Sequence, residues 1–116
     1  MIMIRTDTRK LKLTVEGHAM PAESPQYQQI CTAASALAQG LAYSVSRSGG
    51  MKSFEYRPEA GNLYLRIYPE EKTEREIRAK FETYADGMEM LAKSHPQGIS
   101  MIRDGVRIQK EEEQAG

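Results

Sequence analysis

The chain has 116 residues, 40% hydrophobic and 28% charged, enough for one domain with a small core. Its 16 basic side chains balance 16 acidic ones, and no basic stripe is interleaved with aromatics, which argues against a nucleic-acid partner. The N-terminus meets a charge too soon, at Arg5, to be a signal peptide, no apolar run reaches the ~18 residues of a membrane span, and a single cysteine fits a reducing compartment, so the expected address is cytoplasmic.

Ile2 and Ile4 mark a short first strand. Leu11, Leu13 and Val15 alternate with Lys12, Thr14 and Glu16, the period of a half-buried second strand, with Asp7 to Lys10 as the turn between the two. Residues 19–28, with Pro21 and Pro25 among serines and glutamines, read as a mobile loop. From about Gln28 the period changes: Ile30, Ala34, Leu37, Leu41 and Val45 form one face of a helix that ends near Ser48, before Gly49 and Gly50. Lys52 to Arg57 and Gly61 to Tyr68 then read as strands, joined through Pro58 to Asn62 into an antiparallel hairpin. A second helix is expected from Thr73 to Lys93, with Thr73 and Glu76 as a capping box and Ile77, Phe81, Tyr84, Met88 and Leu91 as its apolar stripe. Pro96 ends it, and Ile99 to Ile102 makes a last short strand. Met51, Met88, Met90 and Met101 are assigned to the core. The order ββαββαβ predicts an α+β domain over residues 1–109: a mostly antiparallel sheet of about five strands, with two helices packed on one face. A charged, frayed tail is expected over 110–116.

His18 and the lone Cys31 carry the chemistry. His18 continues the parity of Lys12, Thr14 and Glu16, so it should leave the sheet on the non-core side, and Gly17 lets the chain turn there. A surface histidine has the same parity. Cys31 is offset by ~100° from Ile30, which puts it on the flank of the helix stripe rather than at its centre, with Ser35 one turn further along that flank. In a first turn the unpaired N–H groups and the helix dipole favour negative charge on sulfur and offer an oxyanion hole. A free cysteine is more often an inert buried one. The small neighbours Thr32, Ala33, Ala34, Ser35 and Ala36 leave room for a peptide backbone beside the sulfur, and they are also good core fillers. His95 at a helix end suits a capping role, and the acidic set Glu70, Glu71, Glu74 and Glu76 suits a solvated first turn. Two histidines and one distant cysteine lack metal-ligand spacing, and neither a P-loop nor a nucleophile-elbow serine is present, so no metal and no cofactor are expected.

Gly17-His18-Ala19, followed by Ile30-Cys31-Thr32-Ala33-Ala34-Ser35-Ala36-Leu37, resembles the ribosomal-processing cysteine protease (Prp) family, in which a Gly-His-Ala segment precedes an Ile-Val-Cys-Ala-x-x-Ser-like one. The strand order and the stretch from Gly87 through Leu91 to His95-Pro96 agree too, so the likeness spans about residues 1–104. The resemblance implies a homodimeric peptidase that removes an N-terminal extension from a large-subunit ribosomal protein. In it Cys31 is the nucleophile and His18 the base, and Gly17, Ala19, Gln28 and Ser35 contact the substrate. Gln28 stands where the family usually has an aspartate, and residues 20–26 replace a glycine-rich loop with a proline-bearing one. These departures bear on the substrate, for which a phage capsid or scaffold protein is the alternative. The rival reading of the whole chain is a catalytically inactive homodimeric binding module on the same fold.

Overall fold

The computed structural model describes residues 1–17, 25–59 and 61–109. Its elements run β1 (Ile2–Asp7), β2 (Lys12–Glu16), α1 (Pro25–Ser46), β3 (Met51–Glu59), β4 (Asn62–Pro69), a 3-10 turn (Glu71–Thr73), α2 (Glu74–Ser94), β5 (Ile99–Arg103) and β6 (Val106–Arg107). All six strands form one sheet in the order β3-β4-β2-β1-β5-β6. β1 pairs with β5 in parallel, and the other neighbours are antiparallel.

This order makes two parallel crossovers, β2–α1–β3 and β4–α2–β5, which leave antiparallel strands in opposite directions across the sheet. A right-handed hand for each then requires both helices to cover the same face. The expected α+β layering follows, and the alternating residues Ile2, Ile4, Leu13, Leu63, Leu65, Ile67, Ile99 and Met101 are all buried beneath the helices. α1 contributes Ile30, Ala34, Ala38, Leu41, Ala42 and Val45, and α2 contributes Ile77, Phe81, Ala85, Met88 and Ala92. The alanines keep the helices low on the sheet. Where the helices meet, Gly40 leaves room for the Tyr84 ring, which a Cβ there would approach to 2.9 Å.

Several boundaries differ from the sequence expectation. α1 begins at Pro25, so Pro25 to Gln28 are helical rather than loop. A proline suits a first helical turn, because its missing N–H would have no partner there. The rest of the expected loop, and the expected tail at 110–116, lie outside the described residues. Leu11 is buried as expected, but it sits in the turn before β2 with a positive φ of 54°. Thr73 precedes α2 without capping it through its side chain; its hydroxyl donates to the Gly50 carbonyl at 2.7 Å and so ties α2 to the turn after α1. Met90 is 66% exposed rather than core. β6 was not expected, although Asp104-Gly105, both at positive φ, is a two-residue hairpin turn. The Asp104 carboxylate also accepts from the Thr8 amide and hydroxyl, at 2.6 and 2.9 Å, which pins this hairpin to the β1–β2 turn.

Phe81 is fully buried between helix and sheet. Phe81→Ala should lower unfolding free energy by about 3–5 kcal/mol, the usual range for truncating a buried aromatic. Urea denaturation followed by far-UV circular dichroism measures it, and a loss under about 1 kcal/mol would contradict this packing.

Candidate active site

Gly17 closes β2 and holds a position that only glycine fills without strain. Its φ is 85°, and a Cβ would stand 2.5 Å from the Met1 carbonyl oxygen. Its N–H donates to the Gly61 carbonyl at 2.9 Å, just past the Glu16–Asn62 pair of the β2–β4 ladder. The exit of β2 is therefore tied to the β3–β4 turn as well as to the chain start.

Across from it, the stripe of α1 sets the helix phase. Ile30 and Ala34 face the sheet, which turns Cys31 and Ser35 to one side. Cys31 is half-buried against the edge of the core, and Ser35 is exposed. Cys31, Ser35 and Gly17 line one cleft of about 460 Å³, with Gln39 of α1 and Pro58 and Glu59 of β3 on its far side. The expected flank position of Cys31 is therefore observed, and three of the expected site residues share a cavity. Gln28 is exposed and does not line it. His18 and Ala19 lie outside the described residues.

One expectation fails. Because α1 begins at Pro25, Cys31 is in its second turn rather than its first. A regular helix directs the amide of residue 31 to the carbonyl of residue 27, so that amide is not spare for an oxyanion hole. The dipole's effect on a charge also fades beyond the first turn. The surroundings of Cys31 open instead into the cleft.

Gln39, Pro58 and Glu59 were not identified as site residues from sequence. Gln39 carries no local signal beyond an exposed helical position, and Pro58 and Glu59 read as turn residues. They reach the cleft because the β3–β4 hairpin is paired to β2, a contact that sequence spacing does not report. On β3, burial holds the Tyr56 hydroxyl above its usual range, so the phenol stays neutral. Among the described residues no cluster of three or more His, Cys, Asp or Glu side chains is placed to hold a metal ion. Nor is any described helix long and apolar enough to cross a membrane.

A family model described as Cysteine protease Prp matches residues 1–100. The chain belongs to the cysteine protease Prp family. It is accordingly a cysteine-type peptidase. Solved structures share its fold at low identity. The ribosomal processing protease Prp of Staphylococcus aureus, in complex with a covalently linked product peptide, is 16% identical, with a TM-score of 0.67, covering 88% of this chain and 96% of that one. The same protease with a substrate peptide is 13% identical, with a TM-score of 0.65 and the same coverage, 88% and 96%. SMU.848 of Streptococcus mutans is 16% identical, with a TM-score of 0.66, covering 88% and 90%. No curated protein sequence matches the chain. As a Prp-family chain with one cysteine, it has Cys31 as the only candidate thiol nucleophile.

Gly17→Ala combines a left-handed φ with a backbone clash. It should destabilise the domain by at least about 1 kcal/mol, lowering Tm by about 4 °C or more. Differential scanning calorimetry reads this directly, and an unchanged Tm would remove the constraint argued for the β2 exit.

Proposed function

We propose that this chain is a ribosomal-processing endopeptidase that removes the N-terminal extension of a large-subunit ribosomal protein, with Cys31 as nucleophile and His18 as its base. One observation carries the reading: Cys31 and Gly17 line the same cleft, and Gly17 is bonded to His18. Family membership supports the peptidase chemistry. The Staphylococcus aureus protease of like fold, described as a ribosomal processing protease with a substrate peptide, supports the class of substrate.

His18 takes the Cys31 thiol proton as sulfur attacks the scissile carbonyl. The imidazolium then protonates the leaving amine, and water, activated by the same imidazole, hydrolyses the thioester and restores the thiol. Ser35, one turn after Cys31, supplies a hydroxyl donor in the cleft for a substrate carbonyl. Gly17 lines the cleft beside Cys31 and leaves room there for the substrate backbone, whereas Gln28 lies outside the cleft. The protein acts as a homodimer, as the family resemblance implies.

The test is incubation with the extended ribosomal protein precursor from the same genome, with the new N-terminus read by mass spectrometry. Cys31→Ala should reduce cleavage by about 10³-fold or more. His18→Ala should reduce it by about 10²–10⁴-fold, the usual contribution of a general base, and should also slow iodoacetamide labelling of Cys31 in the folded protein. Cleavage by Cys31→Ala at the wild-type rate, or labelling of Cys31 only after denaturation, would sink the assignment.

A further inference from the structure

We infer that the groove between α1 and the free edge of β3 binds the substrate as an added, extended strand, leads its scissile bond to Cys31, and seats one of its apolar or aromatic residues against Tyr43, Phe54 and Tyr56. This rests on the peptidase reading above and adds the conformation of the substrate and the location of a specificity subsite.

β3 is the terminal strand of the sheet, so its outer edge has no strand partner among the described residues. The register shows which backbone groups that edge offers. The Ile67 amide donates to the Leu11 carbonyl and the Gly61 carbonyl accepts from the Gly17 amide, so odd-numbered residues of β4 bond toward β2 and Asn62, Tyr64 and Arg66 bond toward β3. Paired residues then alternate along the ladder: Glu59, Arg57 and Glu55 spend their amides and carbonyls on β4, while Pro58, Tyr56 and Phe54 turn theirs outward. Pro58 agrees with this, since proline is tolerated at an edge position whose missing N–H faces away from the ladder. Tyr56 and Phe54 therefore each present an outward N–H and C=O to a passing chain, which is the requirement for strand addition.

The side chains of the same residues lie on the helix side of the sheet. Phe54 pairs with Ile67 and Tyr56 with Leu65, both buried beneath the helices. Their rings stack at 6.0 Å and, with Gln39, Ala42, Tyr43 and Ser46 of α1, line a cavity of about 390 Å³. Tyr43 is 64% exposed there. Gln39 lines both this cavity and the Cys31 cleft, and β3 supplies the other wall of each: Phe54 and Tyr56 in one, Pro58 and Glu59 in the other. The two cavities thus adjoin at Gln39 and follow α1 in succession from Cys31 to Tyr43. At about 1.5 Å per helical residue that span is about 18 Å, the length of about five extended residues at about 3.3 Å each. An apolar residue on the aromatic subsite would then stand about five residues from the scissile bond.

The test begins by profiling Cys31-dependent cleavage of a peptide library from a proteome digest, with Cys31→Ala as the blank. The best-cleaved peptide is then resynthesised with single N-methyl amides at each position and assayed against the unaltered protein. An added strand predicts alternation: on the groove side of the scissile bond, methylation at one parity lowers kcat/KM about tenfold, the loss of one hydrogen bond, and methylation at the other parity leaves it within about twofold. Gln39→Trp, which narrows the junction of the two cavities, should lower kcat/KM for this peptide at least tenfold while iodoacetamide still labels Cys31 at the wild-type rate. Cleavage without alternation, or indifferent to Gln39→Trp, overturns the groove and leaves the peptidase standing. The absence of any Cys31-dependent cleavage overturns both.

Discussion

The apolar stripe of α1 sets the helix rotation, and the cleft that holds Cys31 depends on that rotation. Ile30, Ala34, Ala38, Leu41 and Val45 must face the sheet to leave water. With a repeat of ~3.6 residues per turn, burying them fixes where every other side chain of the helix points. Cys31 and Ser35 fall on the flank that faces the β2 exit, and Gln39 and Tyr43 continue it toward β3. A one-residue shift of the stripe would rotate the helix by ~100° and carry the sulfur into the core or out to open solvent.

The sheet supplies the opposing wall by topology. β4 lies between β2 and β3, so the hairpin that follows α1 is folded back beside the strand that preceded it. Gly17 and Gly61, 44 positions apart in the chain, are joined by a backbone hydrogen bond because of this. The same arrangement leaves β3 at the edge, with its ladder satisfied on one side only. An exposed edge is usually a liability that proteins blunt. Here it runs beside the groove in which we propose that the substrate adds as a strand.

Much of this was legible from the chain, for physical reasons that differ by element. Both helices were found because burial repeats near 3.6 residues: Ile77, Phe81 and Met88 are buried as read, with Tyr84 and Leu91 at the rim. β2 and β4 were found because one face is dry. β6 was missed although Asp104-Gly105 is a strong hairpin signal, because a two-residue strand shows no period. The capping box at Thr73 failed because its hydroxyl finds a better acceptor in Gly50, 23 positions away in sequence, which no local rule sees. α1 starts earlier than its apolar period shows because Pro25, a loop signal in the sequence, is equally at home in a first helical turn. That shift of a few residues puts Cys31 in the second turn, away from the helix terminus and beside a cleft.

By itself, then, the sequence determined the alternation of strands and helices, the faces they bury and the two residues on which peptidase chemistry is proposed to turn, because periodicity and short motifs are local properties of the chain. Only the tertiary structure decided that Gly17 and Cys31 share a cavity, that Gln28 stays outside it, and that Gln39, Pro58 and the aromatic edge of β3 extend it. Those neighbours are set by the order of strands in the sheet. Strand order depends on which distant segments bury one another best and on the hand of the crossovers between them, and neither is written in the spacing of residues along the chain.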